Sequence, residues 1–211
     1  MLSCSFKPGV IEAGCDESGR GCLAGPVVAA AVILPRGYSN PLINDSKKLS
    51  APARENLRSE IEAQALAWAV GYADNKEIDS INILQASVLA MHRALSSLNM
   101  VPGHIIVDGN YFSSFRNIPH TCIIRGDSLY LSIAAASILA KTHRDELMHK
   151  LHNEFPVFGW NRNKGYPTRF HCEALLQYGP SSFHRKSFRP GPQQLNIAPA
   201  PAAACRKYPL L

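Results

Sequence analysis

What the 211-residue chain lacks narrows its chemistry first. Its six cysteines (Cys4, Cys15, Cys22, Cys122, Cys172 and Cys205) include no Cys-x-x-Cys pair, the spacing that most structural zinc sites use. No histidine–cysteine cluster offers another ligand set. No apolar run approaches the ~20 residues that a membrane-spanning helix needs, and the first residues show no apolar core of a secretory leader. These absences predict a cytoplasmic protein with reduced thiols and no membrane contact. An extreme charge is missing too. The formal net charge of +6 is compatible with a nucleic-acid partner without requiring one. Basic residues gather late, at Arg162, Lys164, Arg169, His184, Arg185, Lys186 and Arg189, although a charge run is usually just a solvated face. A hydrophobic content of 46 % fits one domain with a substantial core.

The stretch around which the rest is arranged is Ala13-Gly14-Cys15-Asp16-Glu17-Ser18-Gly19-Arg20-Gly21. Two adjacent carboxylates stand directly before a Gly-Arg-Gly turn. Side chains alternate on a strand, so Asp16 and Glu17 face opposite sides unless the strand ends or bulges there. The turn offers bare N–H groups and one cation to a sugar-phosphate backbone. Taken alone, the commoner reading is a surface turn with two solvated acids.

Patterning predicts strands over 11–17 and 26–34, paired as a hairpin, and a third over 66–72. Ser50, followed by Pro52 and Glu55, reads as the cap of a helix over 53–64. A break over 75–79 precedes an amphipathic helix over 81–98. Short strands follow at 104–107 and 121–124, then a long helix from about 128 to 153 and a helix capped by Thr168. Residues 1–9 read as a loose lead-in. From Pro190 the composition turns to Pro, Gly, Gln and Ala, which cannot bury enough surface to offset ordering. The chain therefore divides into a domain, 1–189, and a flexible tail, 190–211. Hairpin strands followed by strand–helix alternation imply an α/β fold with a mixed sheet flanked by helices.

Acids recur at strand ends. Asp16 and Glu17 close the first strand, Asp108 closes the 104–107 strand, and Asp127 lies between a strand and the long helix. Each has a bland rival: Asp108 before Gly109 and Asn110 is a common turn former, and Asp127 is a natural helix N-cap. Asp145, after Arg144 in mid-helix, reads as a structural ion pair or a solvent-facing acid. If the first and 104–107 strands are parallel neighbours, Asp16 and Asp108 meet at the carboxyl ends, where α/β sheets build sites. Clustered carboxylates repel one another, and a pair of Mg²⁺ or Mn²⁺ ions relieves this. Two such metals, about 3.5–4 Å apart, clamp the attacking and leaving oxygens of a phosphoryl displacement.

At this point the motifs resemble one family. Asp16-Glu17-Ser18-Gly19-Arg20-Gly21, Asp45-Ser46-Lys47-Lys48-Leu49, Val107-Asp108-Gly109, Gly126-Asp127 with Ser132 through Lys141 and Arg144-Asp145, Gly165-Tyr166-Pro167-Thr168, and His184-Arg185-Lys186-Ser187-Phe188 occur in one order. Together, over roughly residues 10–189, they are similar to ribonuclease HII, the type 2 ribonuclease H. The resemblance implies a ribonuclease H-like fold with a five-stranded mixed sheet, and a catalytic role for 1–189. It implies hydrolysis of the RNA strand of RNA–DNA hybrids and cleavage 5′ of single ribonucleotides in duplex DNA, leaving 3′-hydroxyl and 5′-phosphate ends. It implies that Asp16, Glu17, Asp108 and Asp127 hold Mg²⁺ or Mn²⁺. It further implies that Gly19, Arg20 and Gly21 read the 2′-hydroxyl, and that Tyr166 stacks on the deoxyribose that follows. Backbone groups can meet a 2′-hydroxyl closely only where side chains are absent. Lys47, Lys48, Lys164 and Arg185 are candidate phosphate contacts. A monomer is expected.

Two positions depart from the family pattern: Ser18 replaces the usual Ala or Val, and Arg125 the usual Lys before Gly-Asp. Arg and Lys are not interchangeable where geometry matters. Two alternatives remain at this level: a non-catalytic nucleic-acid binding domain of the same fold, and a DNA nuclease or strand-transfer enzyme on a related fold.

Overall fold

The computed structural model describes residues 2–43 and 49–189. Lys47, Lys48 and the 190–211 segment lie outside the described residues. Five strands form one mixed sheet: β1 (Glu12–Ser18), β2 (Val27–Ile33), β3 (Ala67–Ala73), β4 (His104–Asp108) and β5 (His120–Ile123), in the order β3-β2-β1-β4-β5. β1 pairs antiparallel with β2, as the expected hairpin, and parallel with β4. The parallel register ends at Cys15 opposite Val107. One step further, Asp16 and Asp108 stand side by side, each still paired on its other edge, with Ala30 of β2 and Ile123 of β5.

Period-two alternation sorts β2 between two cores. Val27, Ala29, Ala31 and Ile33 pack with α2 (Asn75–Ser96), whereas Ala30 and Val32 pack with α1 (Ala51–Gln64) and α3 (Leu131–Glu154). Burial on both faces explains why β2 reads as an uninterrupted apolar run. The small residues Ala134–Ala136 let α3 lie close on the sheet. At Gly14 the approach is so close that a Cβ would stand 2.3 Å from the Ser132 carbonyl carbon. Trp160 begins the short helix α4 (Trp160–Asn163), and Thr168 caps α5 (Arg169–Tyr178) by accepting from the His171 amide at 3.3 Å.

Three expectations need correction. Residues 75–79 are not a break. The Asp74 side chain caps their first turn, and Glu77 returns the bond to the Asp74 amide, a reciprocal capping box. The irregularity lies at Asn82, with φ 66° and ψ 165°, where the side chain accepts from the Leu84 and Gln85 amides and restarts the helix. The long helix starts at Leu131 with Tyr130 as its cap, so Asp127 is not its N-cap; it lies in a 3₁₀ turn, Gly126–Ser128. The lead-in is tied down: Ser3 bridges to Tyr130, and the Phe6 and Lys7 amides both donate to the Glu12 carboxylate. The described cysteines are free thiols. Among the described residues, no helix is long and apolar enough to cross a membrane.

Candidate active site and recognition turn

The acids stand where β1 and β4 end. Asp16 is 6 % exposed and turns toward α3, where it meets the Ser137 hydroxyl, and it accepts from the Glu17 amide at 2.6 Å. Glu17, one residue on, faces the other side of the sheet. It lines a cleft with Asp108, Asn110 and the α2 residues Ser87 and Met91. Asp108 accepts from the Gly126 amide at 2.7 Å, which ties β4 to the 3₁₀ turn carrying Asp127, itself 6 % exposed. Asp145, the acid assigned to an ion pair, does pair with Lys141 at 2.6 Å.

Burial, followed by the charges of Glu17 and Asp108, raises the Asp16 carboxyl well above the usual range. Burial is the larger cause, and the two neighbouring carboxylates add to it. The donor set is all oxygen and suits a hard divalent cation. Among the described residues, no three His, Cys, Asp or Glu side chains already close on one point. A Mg²⁺ ion would then be shared with water and phosphate oxygens, its usual habit.

The Gly19-Arg20-Gly21 turn follows without a break. Gly19 has φ +98°, a conformation natural to glycine. The half-exposed Arg20 guanidinium pairs with Glu17 at 3.1 Å. The Tyr166 ring is 40 % exposed, and a Cβ at Gly21 would lie 3.9 Å from its Cε1 atom. The Leu23 amide donates to the Gly165 carbonyl at 2.8 Å, joining the two loops. Lys164 donates its ammonium to His149 at 2.7 Å and to the Asn161 carbonyl.

Arg185 requires a correction. A phosphate contact needs a guanidinium that reaches solvent, and Arg185 is 2 % exposed. It donates to the carbonyls of Gly19, Arg20 and Gly25 at 2.7, 2.8 and 3.0 Å. Burial pulls its pKa down to about 10, so it remains charged at neutral pH. It holds the Gly19-Arg20-Gly21 turn from beneath.

The family model described as Ribonuclease HII matches residues 13–190. The chain belongs to the ribonuclease HII family. Members of this family are type 2 ribonucleases H, enzymes that cleave the RNA of RNA–DNA hybrids. A ribonuclease HII of Bacteroides thetaiotaomicron is 57 % identical, over 93 % of this chain and 99 % of its own length. That of Christiangramia forsetii is 59 % identical, over 91 % and 97 %. The crystal structure of the ribonuclease H2 from Pyrococcus horikoshii superposes with a TM-score of 0.71 at 27 % identity, covering 87 % of this chain and 96 % of that one. The five-stranded mixed sheet is thus the ribonuclease H-like architecture.

Sequence reasoning gave Arg144 no role beyond its place in the Arg144-Asp145 motif. Arg144 is fully buried, yet it carries the family's Arg-Asp motif on α3. Its guanidinium donates to the carbonyls of Pro26, Lys164 and Ala24 at 3.0, 2.8 and 3.3 Å. It also lies 6.0 Å from the Tyr166 ring centroid, within cation–π range.

Proposed function

We propose that this ribonuclease HII is a Mg²⁺- or Mn²⁺-dependent endonuclease, acting as a cytoplasmic monomer, that cuts RNA–DNA hybrids and cuts 5′ of single ribonucleotides in duplex DNA. The reading is carried by one arrangement: the acidic end of β1 runs straight into the Gly19-Arg20-Gly21 turn, with the Tyr166 ring beside it. The reacting phosphate and the sugar that marks it as RNA would be read within three residues of each other.

Asp16, Glu17, Asp108 and Asp127 are the ligands in this reading. Metal bound there would lower the pKa of a water and neutralise charge building on the phosphate. Water attacks phosphorus, the P–O3′ bond of the preceding nucleotide breaks, and that oxygen departs as a 3′-hydroxyl after taking a proton. The ribonucleotide keeps the 5′-phosphate. Its own 2′-hydroxyl is not the nucleophile, because the broken bond lies on its 5′ side. That hydroxyl is a mark to be read, and the backbone of the turn, exposed at Arg20 and Gly21, would supply the groups that meet it. Glu17, if it holds metal, would give up its pairing with Arg20, and the half-exposed guanidinium would then be free to meet a phosphate. Tyr166 stacks on the following sugar and disfavours a 2′-hydroxyl there. Lys164 contacts a phosphate, and Lys47 and Lys48 are assigned the same task from sequence.

A duplex whose single ribonucleotide carries a 2′-O-methyl group tests the reading of the hydroxyl. It should resist cleavage while the unmodified duplex is cut. Equal cutting of both would contradict it.

A further inference from the structure

A buried polar network outside the acidic site joins Trp160, His171 and His184, which are 0 %, 0 % and 4 % exposed. The Trp160 indole N–H can only donate, and it reaches His171 Nε2 at 3.1 Å. That nitrogen therefore accepts, and the His171 proton sits on Nδ1, 2.9 Å from the Tyr166 carbonyl oxygen. His184 has the opposite tautomer. Its Nδ1 accepts from the Ser181 amide at 2.9 Å, which leaves a proton on Nε2 facing His171 Nε2 at 3.1 Å, whose one lone pair is shared between this N–H and the Trp160 N–H. Each ring is neutral and locked by a partner that cannot reverse roles.

The network ends on the main chain of Tyr166. Its carbonyl accepts from His171 and from the Thr168 amide at 2.8 Å, and its amide donates to the Asn163 carbonyl at 2.9 Å. Backbone is fixed at both ends while the ring stays at the surface. The other end of the network reaches the recognition turn. His184 bridges to Ala24, and the next residue, Arg185, holds the Gly19 and Arg20 carbonyls. Residues 184 and 185 thus grip the Tyr166 loop and the Gly-Arg-Gly turn at once.

We propose that the Trp160–His171–His184 relay is a positioning device that sets Tyr166 against the Gly19-Arg20-Gly21 turn. Through that spacing it determines how strongly the chain prefers a ribonucleotide followed by deoxyribose over continuous RNA. The inference rests on the assignment of Tyr166 to the deoxyribose. A misplacement of about 1 Å at such a contact costs on the order of a hundredfold in rate, so a relay that fixes the main chain of Tyr166 can govern selectivity without touching substrate.

The test is the ratio of kcat/KM on a duplex with one ribonucleotide to that on a continuous RNA–DNA hybrid. It is measured for wild type, Tyr166→Ala, His171→Ala, His171→Asn and Trp160→Phe. His171→Ala should lower the ratio by about tenfold or more. His171→Asn, whose amide can donate where Nδ1 did, should recover most of it. Equal losses on both duplexes in His171→Ala would reduce the network to support of the fold and overturn the proposal. Should His171→Ala not fold, Trp160→Phe carries the same comparison, with a lowered ratio expected and an unchanged ratio contradicting the relay. If Tyr166→Ala leaves the ratio unchanged, the assignment of Tyr166 fails, and this inference with it. Independently of activity, ¹⁵N spectra of the wild-type imidazoles should show the Nδ1–H tautomer at His171. The Nε2–H form there would overturn the relay.

Discussion

Gly19 lies over the Arg144 side chain, so close that a Cβ at position 19 would meet Arg144 Nε at 2.0 Å. The turn has no room for a side chain on that side, and the Gly19 φ of +98° disfavours one in any case. Gly19→Ala should displace the guanidinium that ties Pro26, Ala24 and Lys164 together. Backbone strain of this kind costs on the order of 1–3 kcal/mol, which for a chain this size is a fall in Tm of roughly 3–10 °C. A thermal melt checks this. An unchanged Tm would mean that the turn relaxes freely.

Asp16→Asn should separate stability from activity. The carboxyl is buried beside Glu17 and Asp108, so a neutral amide of the same shape removes repulsion, and Tm should hold or rise. Hydrolysis should fall by roughly a thousandfold, the scale for losing a preorganised electrostatic contact. Activity near wild type would remove Asp16 from the site.

The strands were legible because their signals are local. β2 is a buried apolar run between stops, and the acids at 16 and 108 lie where the parallel pairing of β1 and β4 ends, although β1 itself runs on to Ser18. The capping box of Asp74 and Glu77 was equally local, yet the polar run 75–79 masked it. Arg185 and Arg144 were not legible as buried groups. Nothing within a few residues of either distinguishes a guanidinium that reaches solvent from one that ends on carbonyls more than a hundred residues away. The histidine relay is hidden for the same reason: His171 and His184 become partners only when α5 packs under the loop that follows it.

The buried histidines give the fold a pH dependence of definite sign. Burial, with the neighbouring His171 next, lowers the His184 pKa from 6.5 to about 4, and burial lowers His171 as well. The unfolded chain binds the extra proton first, so this stability is complete above pH 6.5 and is lost as pH falls toward 4. At one pKa unit per 1.4 kcal/mol, the contribution of His184 is roughly 3 kcal/mol. Urea midpoints of wild type and His184→Gln at pH 7 and pH 4.5 should differ more at the higher pH. A constant difference would contradict a buried neutral ring.

Lys164→Ala tests the phosphate contact. The ammonium is held between His149 and the Asn161 carbonyl. Losing one phosphate contact should weaken binding to every duplex about equally and lower the slope of log K against log salt by about 1. An unaltered slope would make Lys164 a support for its loop only.

The most direct test of the whole account uses end-labelled duplex DNA carrying one ribonucleotide, beside an all-DNA control, with Mg²⁺, with Mn²⁺ and with EDTA. The account predicts one cut, 5′ of the ribonucleotide, in the presence of metal, with no product in EDTA or from the control. Binding without cleavage in either metal, or equal cutting of the all-DNA duplex, would contradict it.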